Sequence, residues 1–237
     1  MAPIHVALFC LTDDPFEPAG HGPRGGSHKV MFDLGRHLVR RGARVTFVTR
    51  RDSLEKPATQ DFGELCRIIR VAAGPPQPIP YYRYELYLDE AALAVTAIPE
   101  LQARRVTTAV SYNWNSGLVV ARLYPRGAVD HVHYVLALGR ARRAAGESPE
   151  KVSDAWLQAE DTVFSHASRI VTCSTSERAE LAAFYPSIDA SCIHYVPLGI
   201  DTEVFDRRPR NPGDLVRRSA ARFQEGIEHA SRRAADP

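Results

Sequence analysis

The 237-residue chain contains no apolar run that approaches the roughly 20 residues needed to cross a bilayer as a helix. Its start, MAPIHVALFCL, lacks the basic stretch that opens a signal peptide, and its apolar run is short, so it reads as a first strand. Cysteine is scarce. Cys10, Cys66, Cys173 and Cys192 are the four, none forms a C-x-x-C pair, and each lies in or beside an apolar stretch. That speaks against a disulfide scaffold or a metal site and suits small buried thiols in a reducing cytoplasm. A large charge of one sign is also missing. The net charge is +2, which gives no electrostatic case for nucleic acid or a membrane surface. No Walker-type G-x-x-x-x-G-K-[ST] loop and no internal repeat occur. The expectation is a cytoplasmic protein with no integral membrane segment.

What is present is an ordinary globular composition, 44% hydrophobic and 24% charged, in a length that suits one large domain with or without a tail. Short apolar runs rich in strand formers recur at 4–10, 44–50, 65–73, 106–112, 130–138, 169–174 and 192–200. Helical spacing separates them, at 27–41, 86–105, 115–127, 151–167 and 176–185. Ser27 is a candidate N-cap for the first helix and Gly42 its stop; Ser174 or Ser176 is a candidate cap for the last. Residues 74–85 read as a proline- and tyrosine-rich loop, and 139–150 as a basic, flexible connection. Apolar strands alternating with helices predict a Rossmann-like α/β domain: a doubly wound parallel sheet with helices on both faces. The domain is expected over 1–205. Residues 206–237 read as a polar linker and one amphipathic helix with Leu215, Val216, Phe223 and Ile227 on a stripe.

Five blocks in order then resemble a known family. GGSHKVMFDLGRHLVRRGARVTFVTR resembles a first-strand, GG-loop and LGRxLxxRGHxV opening. SYNWNSG resembles an HxxYWxSG turn, HVHYVLALGRARR an HTLG segment followed by basic residues, AEDTVFSHASRIVTCSTSERAEL an E…AD.VIA.S..E…L segment, and YVPLGIDTEVF a VVPxGVDxxxF element. The ordered set resembles the N-terminal, acceptor-side domain of the retaining, family-4 type glycosyltransferases of the GT-B fold, in the branch with sucrose-phosphate synthase and the mycothiol-pathway enzyme. It covers about residues 4–205. In that family a second Rossmann-like domain follows, which holds the sugar nucleotide. The roughly thirty residues after Phe205 do not suffice for it, so the donor-binding domain is expected to be absent from this chain.

The resemblance implies roles for particular residues, each beside a plainer reading. Arg24, Gly25, Gly26 and His28 would lie against the donor diphosphate, since glycine lets backbone approach and amides at a helix N-terminus favour anions. The plainer reading is a turn before a helix. His133 takes the place of the family histidine at a strand end on the cleft side, a catalytic or sugar-contacting position; otherwise it merely ends a strand. His131 reads as structural. Tyr112, Asn113, Trp114 and Tyr134 would bind acceptor, or pack the core. Tyr112 stands where the family motif has histidine, Asn113 where it has tyrosine, and Tyr134 where acceptor-phosphate binders often have threonine. Arg140, with Arg142 and Arg143, would meet an acidic acceptor or remain solvated. Glu160 is structural or cleft-lining. Tyr81, Tyr82, Tyr84 and Tyr87 cluster at the expected acceptor mouth or at a protein interface.

The function implied is transfer of a hexosyl group from a nucleotide-sugar to a small-molecule acceptor with retention, by this chain as enzyme or as the acceptor-side subunit of a split one. The implied partner is a donor-domain protein. No metal and no cofactor beyond the donor substrate is implied, and no nucleic acid. The alternative is a non-catalytic binding or regulatory partner derived from such an enzyme.

Overall fold

The computed structural model describes residues 4–16 and 26–199. Eight strands form one sheet: β1 (His5–Phe9), β2 (Arg44–Arg50), β3 (Thr59–Asp61), β4 (Cys66–Val71), β5 (Thr108–Tyr112), β6 (Asp130–Tyr134), β7 (Arg169–Thr172) and β8 (Ile193–Tyr195). Their order is β3-β4-β2-β1-β5-β6-β7-β8. Every neighbouring pair is parallel except β3 with β4. β1 shows why the sheet is buried on both sides. All five of its residues are buried, with Ala7 and Phe9 in one apolar layer and Val6 and Leu8 in the other.

Helices supply the two layers. α1 (Gly26–Arg40) places Met31, Leu34 and Leu38 against Val6, Leu8 and Phe47. α2 (Leu88–Thr96), α3 (Asn113–Leu123) and α5 (Asp154–His166) cover the opposite face through Val95, Val119, Val120 and Trp156. Beyond β6, α5 and α6 (Thr175–Phe184) enclose a third cluster that includes Phe164, Leu181 and Tyr185. The fold expected from periodicity is the fold observed.

The departures have local causes. The long helix expected over 86–105 ends at Thr96, because Pro99 has no N–H to continue it and opens a 3-10 turn over Pro99–Leu101. Residues Tyr81–Tyr87 form a 3-10 turn inside and just past the expected loop. Residues 139–150 are not only a connection: they begin with a short helix, α4 (Gly139–Ala144). β3 was invisible to an apolar criterion because its three residues, TQD, are all exposed. Gly42 follows α1 at φ 83°, as a helix-ending glycine does. Ser174 caps α6, accepting from the Glu177 N–H at 3.0 Å. Ser27 is not the cap of α1. It lies inside the helix, and its hydroxyl donates to Asp13.

The described residues up to Leu198 belong to one compact unit, and Gly199 begins another. The domain edge expected near 206 and the helix beyond it lie outside the described residues. Among the described residues no helix is long and apolar enough to cross a membrane.

Candidate functional site

The strand order turns at β1. The chain leaves β1 through α1 to β2 on one side and later returns to β5 on the other. Loops leaving β1 and β5 therefore diverge, and such a crevice at the carboxyl ends of parallel strands is where doubly wound folds bind ligands. A cleft of about 990 Å³ opens there. Thr12, Asp13 and Asp14 enter it from the end of β1, Asn113 from the end of β5, and Gly26, Ser27 and His28 from the start of α1. Pro78, Ile79, Pro80, Tyr81 and Tyr84 also line it, with Leu136, Ala137 and Arg142.

The charges in the cleft differ in how far they are engaged. Asp14 is buried and paired with the buried Arg70 at 2.7 Å, with Lys56 at 3.9 Å. Arg50 is 3% exposed and donates to the Pro75 and Gln77 carbonyls at 2.7 and 2.6 Å, with its guanidinium 5.5 Å from the Tyr84 ring centre. Arg142 donates to Glu147 at 2.8 Å and lies over Trp156. Asp13 is surrounded by neutral donors instead. Ser27 Oγ donates to it, Thr12 Oγ1 donates at 3.0 Å, and the Cys10 thiol lies at 3.7 Å. Burial pushes the Cys10 thiol up to about 12, so it stays protonated and donates.

Asn113 is the one described non-glycine residue with positive φ, at 65°. It is 9% exposed, and its amide nitrogen reaches only Thr12 Oγ1, at 3.5 Å. A left-handed residue at the end of a central strand costs about 1 kcal/mol or more. Such strain at a ligand crevice is a functional signal, and the residue's position in the cleft supports the reading of Asn113 as a contact.

The residues expected at the site divide. Gly26, His28 and Asn113 line the cleft, while Arg24 and Gly25 lie outside the described residues. The spacing Gly20-x-Gly22-x-x-Gly25 has the form of a dinucleotide fingerprint, yet it opens eleven residues past the end of β1 instead of directly after it. Tyr112 is fully buried and stacks on the half-buried Tyr134 at 5.0 Å, so both belong to the apolar layer beside β1 and not to the cleft lining. Trp114 is 3% exposed and stacks on Trp156 behind the cleft. Arg140 points away: it grips Asp161 at 2.7 and 2.8 Å and the Phe184 carbonyl at 2.9 Å, over the Tyr185 ring. Arg142, two residues on, is the arginine of this segment that lines the cleft.

His133 is also not a cleft residue. It is 2% exposed, packed on Phe164 and under Gly117, where an added Cβ would come within 3.0 Å of its Nδ1. It ends a buried hydrogen-bonded chain. His133 Nδ1 and His131 Nε2 both lie 2.8 Å from Ser111 Oγ, His131 Nδ1 lies 2.8 Å from His166 Nδ1, and His166 Nε2 lies 2.9 Å from the Tyr124 carbonyl. The carbonyl assigns every proton, because it only accepts. His166 Nε2–H donates to it, His131 Nδ1–H donates to His166, Ser111 donates to His131, and His133 Nδ1–H donates to Ser111. His131 and His133 then each carry a single ring proton, the neutral form that burial favours. Burial holds His131 well below the usual imidazole range and His133 down at about 3. Anchoring the HTLG-like segment on its shared Leu138-Gly139 places the motif histidine at Leu136, which does line the cleft. That Leu-Gly pair was the available signal for the register.

Glu160 is structural. Its buried carboxylate accepts from the Gly139 N–H at 2.9 Å, from the Trp156 indole at 2.8 Å, and from the Tyr185 hydroxyl. Burial raises its pKa, and these donors oppose the rise. It thereby ties the start of α4, and so Arg142, to α5. The residues that sequence reasoning passed over are Thr12 and Asp13. Their signal was a polar T-D-D run immediately after a fully apolar strand.

A model of Glycosyltransferase Family 4 matches residues 24–204. The chain belongs to Glycosyltransferase Family 4. Two family relatives carry the name D-inositol 3-phosphate glycosyltransferase. The one from Xylanimonas cellulosilytica is 28% identical over 94% of this chain and 53% of its own length, and the one from Kineococcus radiotolerans is 29% identical over 90% and 49%. This family 4 chain thus spans about half the length of the curated relatives it matches. Among solved structures, sucrose-phosphate synthase from Thermosynechococcus elongatus matches with a TM-score of 0.75 and 23% identity, over 84% of this chain and 49% of that one. The catalytic domain of starch synthase IV from Arabidopsis thaliana matches with a TM-score of 0.56 and 13% identity, over 89% and 54%. Both likenesses establish the fold: the half of a GT-B enzyme described above.

Proposed function

We propose that this chain forms the acceptor-side wall of a retaining, nucleotide-sugar-dependent hexosyl transfer, completed by a donor-binding domain. The observation that carries this reading is the cleft at the β1/β5 switch point of a family 4 domain that spans half of its relatives. In the reaction the acceptor hydroxyl oxygen bonds to the anomeric carbon, the bond from that carbon to the donor phosphate oxygen breaks, the hydroxyl proton passes to that oxygen, and the nucleoside diphosphate leaves. The chain's own share is positional. Gly26 and His28 would flank the leaving diphosphate at the head of α1, while Asn113 and Asp13 would orient the acceptor.

The test is release of nucleoside diphosphate from a panel of nucleotide-sugars, with the purified chain alone and together with a donor-binding domain taken from a family 4 relative. Turnover with the pair and none with the chain alone is expected. Full turnover by the chain alone would overturn the two-part reading. One observation favours a second reading, a non-catalytic binding partner: the wall after β6 offers Leu136 and Ala137, neither able to handle a proton. Ligand binding without transfer in every combination would favour it.

A further inference from the structure

The cleft also specifies a class of molecule, an inference that rests on its acceptor-side role. We propose that it takes an uncharged polyol, a sugar or cyclitol without phosphate, held through Asp13 and Asn113. Asn113 supplies the first argument. Its amide offers two donors and an acceptor, the residue is nine-tenths buried in the cleft lining, and among the described residues its amide has no partner closer than the marginal 3.5 Å contact to Thr12. The strained backbone that holds it there serves no capping bond, since no side-chain cap is made at the head of α3.

Asp13 supplies the second. Among the described residues no cation pairs with it, and its neighbours are neutral donors. A carboxylate so placed accepts further hydroxyl donors. A phosphate monoester at pH 7 carries mainly negative oxygens, so it would be repelled there and could not satisfy the carboxylate.

Among the described residues the cations of the cleft are already engaged: Arg50 by two carbonyls and Arg142 through its Nε by Glu147, and His28 has a partner of its own. Ile79, Pro80 and Leu136 add apolar surface for the C–H face of a ring. A polyol meets all of these at once. Its hydroxyls donate to Asp13, bond both ways with Asn113, and leave the ring against the apolar wall. The chain's relatives carry a phosphorylated acceptor in their names, so this cleft would be set for the uncharged counterpart.

The protein carries its own reporter. Its two tryptophans are Trp114, next to Asn113, and Trp156, stacked on it at 5.4 Å. Titration of the full chain with myo-inositol, D-glucose and their monophosphates, followed by tryptophan emission and calorimetry, tests the inference without any transfer step. At least one uncharged compound is expected to bind at least tenfold tighter than its monophosphate. Asn113→Gly should weaken that binding about tenfold, the loss of one to two hydrogen bonds, while melting no lower than the wild type, because glycine accepts φ 65° without strain. Asp13→Asn should narrow the gap between each compound and its monophosphate. A monophosphate that binds tighter than its parent would overturn this inference and leave the acceptor-side reading standing. No binding by either class would overturn both.

Discussion

His133 is held neutral by burial, at one end of a hydrogen-bonded chain that runs to a backbone carbonyl. Its folded pKa lies near 3 and that of His131 is also lowered, against about 6.5 for an unfolded imidazole. The unfolded chain therefore binds more protons below pH 6.5, and stability falls as pH drops from there toward 3. His133 should remove up to about 1.4 kcal/mol per pH unit in that window, and His131 adds a loss of the same sign. Glu160 acts in the opposite sense: its raised pKa costs stability as pH rises, so it does not produce this loss. Urea unfolding at pH 7, 6 and 5 should show the fall, and His133→Gln should reduce its slope by roughly one proton. A wild-type stability flat from pH 7 to 5 would refute the neutral relay. At this scale the sequence was least informative. Tyr112, Tyr134, Arg140 and His133 carry the right chemistry, but whether a side chain enters a cleft depends on which face of β5, β6 or α4 it leaves from. A one-residue choice of register decides that.

At the scale of elements, α4 depends on a single carboxylate from another helix. Six residues make a marginal helix in isolation, so its place must come from tertiary anchoring. Glu160 takes the Gly139 N–H at its first turn and also accepts from the Trp156 indole and the Tyr185 hydroxyl. Glu160→Ala would leave three buried donors without an acceptor, and a loss on the order of 3–5 kcal/mol is expected in urea unfolding, with a shift in Trp156 emission. Glu160→Gln, which keeps an acceptor, should cost about half as much. An alanine variant as stable as the wild type would remove Glu160 from this role. The elements themselves were well marked in the sequence. The periodicities of β1, α1, β2 and α5 agree with their packing, since burial on a known period is a local property. The failures were elements without an apolar pattern: β3, which is wholly polar, and the 3-10 turn at Tyr81–Tyr87, which proline concealed.

For the whole molecule, two facts combine. Belonging to family 4 and spanning half the length of the relatives bear on what the chain is; the geometry of its cleft bears on what that half would hold. The order of ligands follows from the architecture. If one wall orients an uncharged acceptor and a partner domain grips the donor, either ligand alone should bind weakly and each should tighten in the presence of the other. Isothermal titration of the pair would detect this as coupling. Equal affinities with and without the second ligand would contradict a shared cleft.

The central position of β1 has a consequence for synthesis. Of the described strands it is the earliest in the chain, and it pairs with β2 about forty residues later and with β5 about one hundred residues later. The β1–α1–β2 unit can assemble early, but the other side of β1, a run of five buried residues, stays open until β5 emerges. During that interval an apolar strand edge of the kind that folded proteins take care to cover is exposed to neighbours. A nascent chain stalled before Thr108 should therefore bind hydrophobic-binding chaperones more strongly than the completed domain.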